Sequence, residues 1–341
     1  EAAERAAYGK SANALSEAVQ ALYATGCVFE SCAFTHTGTY GVEFGDGCMD
    51  CALRRCTLSD LGAGGAKLWH GSRRGEVSDC VIADGGQRFL CGVGILIGQS
   101  SANNILHNHI HHLYYSGISV GWTWGYGPSN AFGNVIEYNH IHDIGQGLLS
   151  DMGGIYCLGV STGTRIRFNR FHDIQSRGYG GWAIYTDEGS TDILIEKNLA
   201  YRTKSASFHQ HYGRNNLVQN NILAFSAEAQ VARTRVEAHT SFVFRRNLVF
   251  FDKGRLLSGN WSEVRCGFEG NLYWDRSGHA LDFGGRTLEQ WQRLGYDRGS
   301  VVADPLFVDP DHGDFRLRPG SPARAIGFEE FSLAEVGPRP A

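Results

Sequence analysis

A right-handed parallel β-helix of about ten turns is the fold this sequence predicts, on three observations. A strand, bend, strand phrase recurs at a spacing near 24 residues. Glycine is abundant at 45 of 341 residues while proline is scarce at 7, so the chain turns often and at fixed places. No helix signature accompanies the repeat, which sets it apart from leucine-rich arrays, and a propeller blade would need roughly 40 to 50 residues.

In chain order, residues 1–26 come first. Glu1-Ala2-Ala3-Glu4-Arg5 and Ala14-Leu15-Ser16-Glu17-Ala18-Val19 favour helix. The segment reads as a helical cap on the open end of a solenoid, or as what remains of further preceding turns. Residues 27–275 hold the repeat. Its phrase begins with Val28-Phe29-Glu30-Ser31-Cys32-Ala33-Phe34 and runs through copies such as Val135-Ile136-Glu137-Tyr138-Asn139-His140-Ile141 to Phe268-Glu269-Gly270-Asn271-Leu272-Tyr273. The anchors 32, 56, 80, 108, 139, 169, 198, 221, 247 and 271 are separated by 24, 24, 28, 31, 30, 29, 23, 26 and 24 residues. At a sharp bend an Asn amide can satisfy backbone groups and stack on the next Asn, and Cys takes the place early on. A second strand follows most anchors, with outward positions Glu43, Lys67, Ser119, Tyr156, Tyr185 and His209, then Leu158, Asp187 and His211 two residues on. Residues 276–341 form a tail with one short helix around Leu288–Leu294 after a Thr287 cap, expected to fold back along the barrel.

Composition bounds the function. Lys+Arg number 31 against Asp+Glu 35, a net charge of -4, which gives no electrostatic case for nucleic acid or anionic membrane. No stretch nears the ~18 apolar residues of a membrane span. The 9 cysteines read as buried thiols, not a disulfide frame or zinc site. With no signal peptide at a Glu1 start, an export signal is expected to have been removed, and the location expected is secreted or periplasmic.

The turns between anchors 80 and 198 are the long ones, and extra loop on a rigid scaffold is where sites are built. They carry Trp122-Thr123-Trp124-Gly125-Tyr126, Ser150-Asp151-Met152-Gly153-Gly154 and Tyr179-Gly180-Gly181-Trp182, and run on to Asp187-Glu188. Asp151, Asp187 and Glu188 are the candidate catalytic acids. Converging carboxylates suit glycosidic cleavage, one protonated to release the leaving oxygen and one ionised to attack or activate water. Taken alone, an outward acid is more often a solvated surface charge, and the enlarged aromatic turns bring the two readings level. His209, His211, Tyr156, Tyr185, Trp182, Trp122 and Lys67 are candidate substrate contacts, with Trp124, Tyr126 and Tyr179 as further aromatic flooring. Loop packing is the ordinary role for any one of those rings. The run His107-Asn108-His109-Ile110-His111-His112 invites a metal reading, but His111, His142 and His172 each fall three after an anchor and should form a ladder, as Asp143 and Asp173 do one place on. A tetrahedral site needs converging ligands and not a line, so neither metal nor other cofactor is expected.

The phrases HTGTYGVEFG, LGAGGAKL, NHIHDIGQGLLSDMGGIY, YGGWAIYTDEGSTDILIEKN and FHQHYGRNN resemble the right-handed β-helix proteins of glycoside hydrolase family 141. The ending ADPLFVDP…GDFRLRPGSPA is shared more loosely with secreted β-helix carbohydrate enzymes. The resemblance runs from about residue 34 to 322. It implies hydrolysis of plant-type glycans, of the α-L-fucosidase or xylanase kind, by two aspartates on neighbouring turns that correspond to Asp151 and Asp187. Glu188 would stand behind them as a supporting or alternative acid. The expected partner is an oligo- or polysaccharide of plant or bacterial origin, met by a monomer. Two rivals stand beside this: a Ca2+-dependent polysaccharide lyase with Lys67 or an arginine as base, and a non-catalytic glycan-binding β-helix.

Overall fold

The computed structural model describes residue 15, residues 17–261 and residues 263–340. They wind into a right-handed parallel β-solenoid whose three long sheets hold 10, 10 and 11 strands. Sheet 1 runs from Glu17–Ala21 to Arg255–Gly259, sheet 2 from Val28–Glu30 to Gly267–Glu269, and sheet 3 from Ala33–Thr37 to Val301–Val302. Each strand pairs in parallel with its copy one turn on, so side chains of equal position stack. Val77, Ile105, Ile136, Ile166, Ile195 and Val218 form one such inward column along sheet 2, all buried.

The bend between sheets 2 and 3 is set by two neighbouring residues. The residue before each anchor takes a left-handed conformation, as at Asp79 (φ 53), His107 (φ 55), Tyr138 (φ 57) and Phe168 (φ 56). This turns the chain sharply and leaves backbone groups that must be satisfied inside the barrel. The anchor amide does so. Asn169 Nδ2 donates to the Ile136 and Arg167 carbonyls and to Asn198 Oδ1, while its own Oδ1 accepts from the Asn139 backbone and amide. Cys80 makes the same carbonyl contacts with its thiol, to Leu53 at 3.6 Å and Ser78 at 3.2 Å, which is why cysteine can hold the early anchors. All nine cysteines are free thiols; the closely spaced Cys48 and Cys51 donate to the carbonyls of Ala21 and Ala24.

The N-terminal expectation needs correction. Glu17–Ala21, placed in a helix by propensity, is the first strand of sheet 1, with Val19 opposite Val42. Val19 and Ala21 pack on the core, and pairing with the exposed edge of Tyr40–Phe44 outweighs a few tenths of a kcal/mol of helix preference per residue. Residues 1–14 and 16 of that segment lie outside the described residues.

After the last turn, helix α1 (Leu288–Arg293) is held by a capping box between Thr287 and Gln290 and buries Trp291. The chain then returns along the outside. A small second core joins Phe307, Phe315, Ile326 and Phe328 to Leu199, Tyr201, Ile222 and Phe250 on the outer face of sheet 3. The final stretch follows the column of left-handed corner residues. The Glu329 N–H donates to Asn220, Phe331 meets Phe168, the Glu335 carbonyl accepts from His107 Nδ1, the Gly337 N–H donates to the Tyr138 carbonyl, and Arg339 grips Asp79.

Candidate active site

The outer face of sheet 1 carries the acids. Glu43, Lys67, Leu96, Ser119, Tyr156, Tyr185 and His209 form one register ladder along it. These positions face away from the barrel, yet Tyr156, Tyr185 and His209 are buried, because the enlarged turns fold their loops over them. Asp187 continues past the end of its strand, its N–H donating to the Cys157 carbonyl. Asp151 sits one turn earlier, in the loop before Gly153–Leu158, with a left-handed backbone (φ 55). Gly180 makes that placement feasible: a Cβ there would come 2.8 Å from the Asp151 nitrogen. The loop 178–181 can then close on it and accept the Asp151 N–H at the Tyr179 carbonyl.

Two tyrosines organise the carboxylates. Tyr185 Oη donates to Asp151 Oδ1 at 3.1 Å, Tyr156 Oη donates to Asp187 Oδ2 at 2.6 Å, and the two phenol rings meet edge to face with centroids 5.0 Å apart. The acids are near enough for the Asp187 charge to act on Asp151. Burial holds both phenols well above their ordinary pKa, so they remain donors. Burial and the neighbouring Asp187 charge push Asp151 up to about 6. Asp187 is raised as well by burial, but Tyr156, Tyr185, the nearby His211 and the Glu188 backbone pull against the rise. Asp151 is thus the carboxyl whose rise a neighbouring charge reinforces, and Asp187 the one with donors arranged for a negative charge.

The other candidates divide. Glu188 is partly exposed and accepts from Tyr212 Oη at 2.9 Å, on the flank of the pair, where its charge adds to the rise of Asp151. His211 is partly exposed, close enough to Asp187 to stabilise its charge, and bonded through Nδ1 to Thr234 at 2.6 Å. Trp122 is half-buried, with its indole N–H on Ser119 and its ring 5.9 Å from Tyr156. The exposed rings of these loops are Trp124 (60% exposed), edge-on to Trp122 at 6.0 Å, and Tyr179 (63%), tilted against Trp182 at 6.2 Å. Trp182 and His209 are not on the surface: they stack 4.2 Å apart beneath it, and burial takes His209 down to about 3, a neutral ring. His209 lies flat on Tyr185 at 4.8 Å and Trp182 meets it at 4.3 Å, so both rings brace the tyrosine that holds Asp151.

Lys67 must be withdrawn as a substrate contact. Its side chain is 2% exposed and sealed by ion pairs to Glu17 and Glu43, with Glu43 at 2.6 Å. A buried lysine needs such partners: Glu43 is its neighbour in the ladder, Glu17 comes from the first strand of the sheet, and Lys67 itself lies four strands from Tyr185. The lyase alternative thereby loses the lysine offered as its base. Three neighbours went unnoticed in the sequence: Tyr115, whose hydroxyl holds the Asp151 carbonyl, Thr234, and Arg235, whose guanidinium lies 4.2 Å over the Tyr212 ring. Thr234 continues the rung of Asp187 and His211 one turn on and could have been counted; Tyr115 and Arg235 lie outside the counted strand positions. A cavity of about 550 Å³ elsewhere lies between the C-terminal tail and sheet 3 and touches neither aspartate.

A family model described as a right handed beta helix region matches residues 11–122. Among curated proteins, the chain is 24% identical over 192 residues to the uncharacterized protein YwoF of Bacillus subtilis, covering 54% of this chain and 36% of that one. Among solved structures it is similar to a glycoside hydrolase (TM-score 0.56, 24% identity, 60% of this chain and 38% of that one). It is also similar to PfbA, a surface adhesin of Streptococcus pneumoniae (0.53, 11%, 70% and 62%), and to XylC in complex with xylose (0.51, 14%, 79% and 55%). The chain thus spans little more than a third of the first relatives it matches. At these identities the likeness establishes the β-helix fold.

Proposed function

We propose that this chain is a glycoside hydrolase acting on a plant-type or bacterial polysaccharide, with Asp151 as general acid and Asp187 as the ionised partner. The observation that carries the reading is a pair of carboxylates on neighbouring turns, Asp187 buried and Asp151 partly so, each held by a tyrosine hydroxyl of the same ladder and the second raised by the charge of the first. Asp151 donates its proton to the glycosidic oxygen as the bond to the anomeric carbon breaks. Asp187 then either attacks the anomeric carbon or activates a water against it; carboxyls about 5–5.5 Å apart belong to the first course and about 6.5–9.5 Å to the second. In the first, Asp151, now a carboxylate, takes a proton from the water that cleaves the Asp187 ester with net retention; in the second, Asp187 takes that proton and the product is inverted, so the anomer released separates the two. Trp124 and Tyr179 would floor the entrance. The family 141 likeness, and the glycoside hydrolase and xylose-bound XylC that share the fold, favour fucosides or xylosides as first substrates.

Chromogenic fucosides, xylosides and arabinosides, then xylan and pectin, test the reading. Asp151→Asn and Asp187→Asn are each expected to lower kcat by about 10²-fold or more while leaving the fold intact. Full activity in Asp187→Asn refutes the assignment, and glycan binding with no turnover on any of these substrates favours the adhesive alternative.

A further inference from the structure

On sheet 3, far from the acids in the register, six imidazoles gather on two neighbouring strands and the next. His109–Leu113 pairs with His140–Ile144, which pairs with Arg170–Ile174. His111, His142 and His172 stack up the sheet at 5.2 and 4.7 Å, and His109 stacks on His140 at 5.0 Å. The sequence spacing suggested parallel lines. The side chains instead meet across them: His109 Nε2 is 2.7 Å from His142 Nε2, and His140 Nε2 is 2.9 Å from His172 Nε2. Ring nitrogens of His109, His140 and His142 all lie within 4.8 Å of one another, and all three side chains are partly open to solvent.

A second feature is independent of that convergence. The fourth residue of each five-residue sheet 3 strand is left-handed, including Asp143 (φ 50) and Asp173 (φ 54), and each of these two carboxylates meets the ring of the residue before it. Asp143 Oδ2 is 2.7 Å from His142 Nδ1, and Asp173 Oδ2 is 2.6 Å from His172 Nδ1. A carboxylate only accepts, so each Nδ1 carries the hydrogen and each Nε2 presents a lone pair toward the neighbouring imidazole. Carboxylate–histidine pairs of this kind orient metal-ligating rings and raise their basicity.

We propose that His109, His140 and His142 form a site for a divalent transition ion of the zinc class, with Asp143 as positioning residue and the fourth place open to water. An all-nitrogen donor set suits Zn2+, Ni2+ or Cu2+ and not Ca2+ or Mg2+. Three ligands at 2.0–2.1 Å in tetrahedral geometry stand about 3.3 Å apart, so the 2.7 Å contact opens by a few tenths of an ångström as the ion replaces the shared proton. The ion ties two successive turns together. This is a separate matter from the carbohydrate reading, since none of these residues lies on sheet 1.

Untagged full-length protein, stripped with chelator, is titrated with Zn2+ by calorimetry beside the His109→Ala/His142→Ala double variant and Asp143→Asn. One ion per chain is expected, with affinity lost in the double variant and weakened roughly 10–100-fold in Asp143→Asn. Saturating Zn2+ should raise the thermal midpoint of the wild type and leave that of the double variant unmoved. Cu2+-loaded wild type should show nitrogen hyperfine structure from three imidazoles, a readout that stands even where the double variant folds poorly. Equal Zn2+ affinity in wild type and double variant, or Cu2+ spectra without imidazole nitrogen, overturns the proposal.

Discussion

At the scale of single residues, the setting of Asp151 weighs against stability at neutral pH. Its carboxyl titrates near 6 in the folded chain, raised from 3.8 by burial and by the charge of Asp187. A raised folded value means that the native state holds the proton more tightly than the unfolded chain does. The stabilising effect of that proton is complete below about pH 4 and is lost as pH rises through about 6. At pH 7 the ionised side chain therefore weighs against folding, by about 1–3 kcal/mol. Asp151→Asn keeps the shape, can still meet Tyr185, and removes the charge. It should be more stable than the wild type at pH 7 in a denaturant titration, with the gain vanishing by pH 4. A variant less stable than the wild type at pH 7 would show that the buried charge is fully compensated. The same value makes activity on any cleaved glycoside fall as pH rises past about 6, and the acid limb belongs to Asp187 as it gains its own proton.

At the scale of the element, the corner ladder is what the sequence displayed most openly, and for a physical reason. A bend that recurs each turn must satisfy the same backbone groups each time, so the same residue type returns at the same place. Asn169→Ala would strand the Ile136 and Arg167 carbonyls and the Asn139 N–H inside the barrel, at a cost on the order of 2–4 kcal/mol. Asn169→Cys should cost less, because the thiol of Cys80 already reaches the equivalent carbonyls. Equal losses in the two variants, measured by denaturant midpoint, would mean that volume and not hydrogen bonding decides the corner. The acids were legible for a related reason, since Tyr156, Tyr185 and Asp187 hold repeat positions whose register could be counted. What the count could not give was burial. Lys67 is sealed by Glu17 and Glu43 of its own sheet, and His209 lies against Trp182 and Tyr185, side-chain contacts that no period records. The imidazole cluster escaped similarly, because His109 and His142 meet diagonally, through rotamers and not through alignment.

At the scale of the whole molecule, a solenoid is held turn to turn and has no intrinsic tie between its ends. Here the C-terminal segment supplies one. It runs back along the left-handed corner column and ends on Asp79, the residue just before Cys80 and so at the last turn whose anchor is a thiol. Burial alone would raise the Asp79 carboxyl, but the Arg339 fork, at 2.9 and 2.7 Å, holds it below the usual carboxylate range. The strap thus clamps the end of the barrel where the ladder is weakest, for a thiol is a poorer donor and acceptor than an amide. Arg339→Ala leaves a buried carboxylate unpaired and frees the strap's last residues. Hydrogen exchange should then quicken in the strands around Asp79 and Cys80, remote in sequence from the substitution, and by at least tenfold if the lost pairing is worth about 1.4 kcal/mol or more. Faster exchange confined to residues near 335–340, with the Cys80 turn still protected, would mean that the strap rests on the barrel without stabilising it.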